Sequence, residues 1–172
     1  AATAHAACLA GLRPYFIDVD AASWAITPEC AQDAIARLRA QGETVSACLP
    51  VAPYGAPLDP EPWARLRDAE GIAVALDAAA GFTTARLSDV PAAVSLHAVK
   101  TPGIGEGGFV LWRDEDGIAT IRRLANFGFA GDRVSGAIGM NAKMSEHHAA
   151  IGHAVLDAWD DRAASVSHLS RL

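Results

Sequence analysis

The run Gly71-Ile72-Ala73-Val74-Ala75-Leu76 carries no polar side chain until it stops on Asp77. A strand with one face in water alternates apolar and polar residues. An unbroken apolar run suits a strand covered on both faces, as in a parallel sheet between helical layers. The flanking signals agree. Thr27-Pro28 and Asp59-Pro60 each place a capping side chain ahead of a proline that fits the first helical turn. They predict helices reaching residues 41–42 and Gly71. Strands are predicted over residues 14–19, 45–51 and 72–76, with Pro53-Tyr54-Gly55 as the turn closing the second. Alternating strands and helices predict a parallel sheet with right-handed crossovers.

Two further strands are predicted over residues 92–98 and 107–112. Residues 99–106 between them are too few for a parallel crossover, which takes about a dozen. The last strand is therefore expected to be antiparallel, making the sheet mixed. A first helix should stop at Gly11. Others are predicted over residues 114–125 and 144–169, the second with an apolar stripe of Ile151, Val155, Trp159, Val166 and Leu169. The predicted class is α/β, a three-layer α/β/α arrangement around a mostly parallel mixed sheet. The 172 residues amount to one domain with ample core.

Composition narrows the partners. Hydrophobic residues at 51% and charged residues at 20% exclude a disordered chain. A net charge of −6 with no basic stripe argues against nucleic acid and anionic membranes. Cys8, Cys30 and Cys48 form no Cys-x-x-Cys pair and read as small core residues in a reducing compartment. With no signal peptide and no apolar run of membrane-spanning length, the expected location is cytoplasmic.

The chemistry concentrates at two predicted strand ends. In open α/β sheets ligands sit beyond the carboxyl ends of strands. Asp77 is placed there as a ligand-facing carboxylate, or alternatively as a turn or helix-capping residue. Lys100 closes Ser95-Leu96-His97-Ala98-Val99-Lys100 and precedes Thr101-Pro102 and four nearby glycines. It reads as a nucleophilic amine able to form a Schiff base, or as a solvated lysine opening a loop. Ser95 and His97 share one strand face. Ser95 is a candidate donor to a phosphate, or a core serine bonded to backbone; His97 has no assigned role. Asn141 precedes the last predicted helix. It could contact a phosphate beside that helix's free amides, or simply cap the helix.

Other patterns dissolve on inspection. Gly103, Gly105 and Gly108 satisfy G-x-G-x-x-G, but a strand follows where a dinucleotide fingerprint needs a helix. No Gly-Lys-Ser/Thr follows, so there is no P-loop. His147, His148 and His153 lack metal-ligand spacing, and no metal is expected. Asp157, Asp160 and Asp161 read as a solvated helix face.

Several segments in order carry a resemblance: Asp77-Ala78-Ala79, Ser95 to Lys100, Glu106-Gly107-Gly108-Phe109, Asn126-Phe127-Gly128-Phe129, Gly139-Met140-Asn141-Ala142-Lys143-Met144-Ser145-Glu146 and Ala149-Ala150-Ile151-Gly152. Upstream, Ala2-Thr3-Ala4, Gly11, Asp18-Val19-Asp20, Leu49-Pro50-Val51 and Tyr54-Gly55 fit as well. The chain resembles the DegT/DnrJ/EryC1/StrS family of pyridoxal-phosphate aminotransferases acting on nucleotide-linked keto sugars. The resemblance implies the large domain of a fold-type I aminotransferase. Family members are about twice this length, so the chain is expected to be a central large-domain piece without the N-terminal segment and the small C-terminal domain.

By the same resemblance, Lys100 carries pyridoxal 5'-phosphate as a Schiff base and Asp77 holds its ring nitrogen. Ser95 contacts the cofactor phosphate, and Asn141 reaches the phosphate of the neighbouring subunit in a homodimer with shared sites. The reaction implied is amination of a nucleotide-linked keto sugar, with glutamate or a similar amino donor, in amino-sugar and polysaccharide biosynthesis. Members that dehydrate sugars carry histidine in place of this lysine. Many members carry glutamine or histidine where this chain has Ala80, so the usual contact near the cofactor's phenolic oxygen is not expected. The alternative is a non-catalytic or regulatory relative, or an inactive fragment, of the same fold. Another pyridoxal enzyme, an aldolase or desulfurase, would not be expected to carry the 141–146 segment.

Overall fold

The computed structural model describes residues 1–169. It divides into two compact units, one of residues 1–95 with 109–118, the other of residues 96–108 with residues from 119 onward.

The first unit is α/β. Helix α1 is Ala2–Leu9, α2 is Pro28–Ala40 and α3 is Pro60–Glu70. Their ends follow the cap chemistry of the sequence. The Thr27 hydroxyl accepts from the Cys30 N–H, the Asp59 carboxylate accepts from the Glu61 N–H, and Gly71 closes α3 in the left-handed region at φ 63°. The strands are β1 (Ala47–Cys48), β2 (Ala73–Val74), β3 (Leu76–Asp77), β4 (Ala92–Ser95) and β5 (Gly108–Leu111). Strands β1 and β2 pair in parallel, as do β3 and β4, and β5 lies beside β4.

The apolar run 72–77 is the centre of this arrangement. Ala73, Ala75 and Asp77 donate to the carbonyls of Ser46, Cys48 and Pro50 on one side. Leu76 and Ala78 donate to Pro91 and Ala93 on the other. Both edges are paired, but the faces differ from the expected double cover: Ile72, Val74, Leu76 and Ala78 are buried on one face, while on the other Ala73 is exposed and Ala75 and Asp77 are half-buried. Val74, Leu76, Val90, Ala92 and Val94 are buried there with Ile35, Trp63 and Leu66 of the helices. Beyond β4, Leu96 donates to Gly107 and Ala98 to Gly105, and His97 forms a parallel bridge to Gly105. The sheets are mixed.

Several boundaries differ from expectation. Residues 14–19 form no strand; Tyr15, Phe16 and Val19 are exposed, and Ile17 is the residue of that stretch packed on the core. An apolar pattern does not supply a hydrogen-bonding partner. Residues 45–51 keep only two strand residues plus a bridge from Val51 to Asp77. Of the cysteines, Cys8 is exposed and Cys30 and Cys48 are partly buried; all three are free thiols. Burial pushes the Cys48 thiol up to about 11.

In the second unit, the helix expected over residues 144–169 is two helices, α5 (Glu146–Asp157) and α6 (Trp159–Leu169), separated at Ala158. Helix α4 (Glu115–Leu124) leads into this unit from the first. Along the expected stripe Ile151 is exposed and Val155 and Trp159 are half-buried. The stripe's remaining side chains, Val166 and Leu169, lie outside the described ones. Asp157, Asp160 and Asp161 are exposed, as a solvated face requires.

Candidate functional site

Asp77 ends β3, and its neighbours fix it from three directions. Its backbone pairs with Pro50 and Ala52 on one side, and in the β3–β4 ladder it stands opposite Ala93. Its side chain is half-buried and accepts two hydrogen bonds. The Ala79 N–H donates to Oδ1 at 3.0 Å and the Thr3 hydroxyl to Oδ2 at 2.5 Å. The capping alternative is partly realised, because the Ala79 bond is an aspartate turn. It engages only one oxygen.

Ser95 ends the neighbouring parallel strand β4, and its N–H donates to the Ala79 carbonyl at 3.2 Å. The fold therefore brings Asp77 and Ser95 to the carboxyl ends of adjacent parallel strands, where α/β sheets bind ligands. The following loop is held down on the 53–55 turn. Thr84 donates to the Gly55 carbonyl at 2.8 Å. Gly55 has φ 82°, and any Cβ there would overlap the Ala80 carbonyl. Ala80 thus offers backbone, not a side-chain donor, at the position noted above.

Lys100 corrects the sequence reading. It does not end a strand, because β4 stops at Ser95. Lys100 belongs to the second unit and sits half-buried in a turn, its N–H donating to the His97 carbonyl at 2.8 Å. The ladder is lost because Leu96 and Ala98 take their bonds from residues 105–107 of their own loop. That loop closes tightly: a Cβ at Gly103 would overlap the Ala98 carbonyl, so only glycine fits three residues after Lys100. The glycines next to the lysine serve close backbone approach, and β5 follows them, which removes the dinucleotide reading. His97 Nε2 lies 3.4 Å from Glu106 Oε1 within the same loop, a reason for its place that needs no ligand.

Asn141 also belongs to the second unit. It does not cap a helix. The cap of α5 is Ser145, whose hydroxyl accepts from the His148 N–H at 3.2 Å. Asn141 lies in an extended segment bridged to Asn126, with Met140 and Ala142 donating to Leu124 and Ala125. It is exposed. Nearby, Lys143 Nζ donates to Asn126 Oδ1 at 2.6 Å and stands 5.4 Å from the Phe127 ring centroid.

Thr3 escaped the reading of single residues. It appears in the sequence as a hydroxyl in an alanine-rich helix, and its partner is 74 residues away. No local pattern announces such a contact. Among the described residues no group of three or more His, Cys, Asp or Glu could hold a metal ion, and no helix is long and apolar enough to cross a membrane.

Comparison with known proteins places the molecule. The model of the DegT/DnrJ/EryC1/StrS aminotransferase family matches residues 1–169. The chain belongs to this family. Within it, the chain is 35% identical over 171 residues to Protein Rv3402c of Mycobacterium tuberculosis, covering 94% of this chain and 40% of that protein. It is 33% identical over 166 residues to the dTDP-4-amino-4,6-dideoxy-D-glucose transaminase of Shigella dysenteriae, covering 92% and 43%. A putative PLP-dependent aminotransferase from Bacillus cereus superposes with a TM-score of 0.91 at 35% identity, over 99% of this chain and 47% of that one. The chain thus spans about two fifths of the length of these curated relatives. Its fold is that of fold-type I aminotransferases.

Proposed function

We propose that this chain is part of the cofactor-binding large domain of an aminotransferase that uses pyridoxal 5'-phosphate to aminate a nucleotide-linked keto sugar. The observation that carries this is Asp77: a carboxylate at the carboxyl end of a central strand, with one donor on each oxygen and acceptor capacity left over. An ionised carboxylate has about four acceptor positions, and Thr3 and Ala79 use two. The donor set fits the group: a carboxylate for a ring N–H, an amine for an aldehyde, and a hydroxyl and an amide for a phosphate.

Pyridoxal phosphate supplies an aldehyde that an amine can capture and a ring that withdraws electrons while its nitrogen stays protonated. Asp77 holds that proton by a charge-assisted hydrogen bond. Lys100 would be the amine that captures the aldehyde and the base that moves the substrate's α-proton. Ser95 donates its hydroxyl to the phosphate. Asn141 does the same for a neighbouring subunit. Its exposed side chain supports that role, as do the exposed Val134, Ile138 and Met140 around it in the sequence. A homodimer with two equivalent composite sites follows from two-fold symmetry. The nucleotide-linked substrate is supported by the relative named a dTDP-sugar transaminase, and glutamate is the proposed donor.

The test is a substrate screen on the protein that carries this chain. Nucleotide-linked keto sugars and simple keto acids are offered with glutamate. Amino transfer to the sugars is expected. Preference for free keto acids, with no sugar activity, contradicts the reading.

A further inference from the structure

From the contact between α1 and β3 we infer that Thr3 is a positioning residue for Asp77: its hydroxyl orients the Asp77 carboxylate so that it can hold the protonated nitrogen of a bound pyridine ring. This rests on the cofactor reading above. An aspartate carboxylate turns easily about its last torsion, whose preference is broad and two-fold. One hydrogen bond leaves that freedom partly open. Here Ala79 holds Oδ1 from the loop after the strand, and Thr3 holds Oδ2 from a helix 74 residues earlier in the chain. Two donors on different oxygens define the carboxylate plane.

The 2.5 Å separation between Thr3 and Asp77 is that of a charge-assisted O–H···O⁻ bond. Thr3 occupies the first turn of α1, which has no side-chain cap, and its hydroxyl is directed to Asp77. Methyl-for-hydroxyl replacement by valine keeps the shape and β-branching and removes only the donor.

The experiment reads the cofactor ring directly. Pyridoxal phosphate labelled with ¹⁵N in the ring is bound to the wild-type protein carrying this chain and to Thr3→Val, Thr3→Ser, Asp77→Asn and the Thr3→Val/Asp77→Asn double variant. The ring ¹⁵N chemical shift reports protonation, and thermal melting reports folding. In the wild type a protonated ring is expected. Thr3→Val should move the shift toward that of the unprotonated ring and lower kcat about tenfold or more, the scale of one lost hydrogen bond to a charged group. Thr3→Ser should restore both. On the Asp77→Asn background Thr3→Val should add little, because the two residues act in series.

A Thr3→Val protein with an unchanged ring shift overturns the inference. So does a Thr3→Ser protein that is as impaired as Thr3→Val, which would mark Thr3 as a packing residue of α1. If Thr3→Val does not fold, Thr3→Ala replaces it under the same criteria, and full Thr3→Ala effects on the Asp77→Asn background also overturn it. A wild-type ring that is bound but unprotonated refutes the role given to Asp77 itself, and the inference with it, a result distinct from any in which only the Thr3 variants fail.

Discussion

The two units hold their candidate site residues by different means. In the first, Asp77 and Ser95 stand on neighbouring parallel strands, and the central run 72–78 is hydrogen-bonded on both edges and buried on the face of Ile72, Val74, Leu76 and Ala78. In the second, Lys100 sits in a turn and Asn141 in an exposed extended segment; both are positioned by loop hydrogen bonds and a glycine contact rather than by a packed ladder. Among large hydrophobic residues the first unit fully buries Trp63 at 2% exposure and Val90 at 0%, whereas Ile138 of the second is 100% exposed. Asp77 and Ser95 thus stand on hydrogen-bonded strands over a packed core, whereas Lys100 and Asn141 are held by contacts within loops.

The largest effect expected concerns the second unit. Lys100→Ala and Asn141→Ala should each abolish amino transfer. Mixed in equal amounts and allowed to exchange subunits, they should regain roughly a quarter of wild-type sites, because half the dimers are mixed and each has one intact site. Mixed dimers that form and stay inactive would show that Asn141 does not serve its neighbour.

The contrast in packing is tested most sharply at Trp63. Trp63→Ala empties the first unit's core and should cost about 3–5 kcal/mol in urea unfolding. A cost under 1 kcal/mol would mean that the ladder, not the core, holds Asp77. Asp77→Asn should leave the melting curve near wild type and lower kcat/KM by about 10–150-fold or more, the scale of one hydrogen bond to a charged group, about 1.5–3 kcal/mol. Near-normal turnover would reduce Asp77 to its turn contact with Ala79. Smallest is Ser145→Ala, which removes the cap of α5 and should cost about 1 kcal/mol. A larger loss would mean that the second unit depends on this cap more than a single helix end warrants.

What could be read from the sequence follows the same division. Helix caps are local, and Thr27, Asp59 and Gly71 mark helix ends where expected. The run 71–77 was legible as a strand, but the cover expected on both faces is present on one, because the alanines of the other face are small enough to stand exposed or half-buried. Residues 14–19 misled because an apolar stretch carries no information about its partner. The 92–98 strand was overextended because Leu96 and Ala98 look like strand residues, while their bonds go to residues 105–107. Of the candidate site, Asp77 was placed well by strand logic, whereas Ser95, read as mid-strand, ends β4, and the surroundings of Lys100 and Asn141 depend on loop contacts. Asn141 read as a possible cap because Ser145, the actual cap, lies only four residues further on. Thr3 was invisible as a site residue because its contact spans 74 residues.

The most direct measurement is chemical. The protein carrying this chain is incubated with pyridoxal phosphate, reduced with borohydride, digested and mapped by mass spectrometry. Lys100 and Lys143 are the two lysines of the chain, so the outcome is sharp. The account predicts a pyridoxyl group on Lys100. A label on Lys143, or on any lysine other than Lys100, contradicts it.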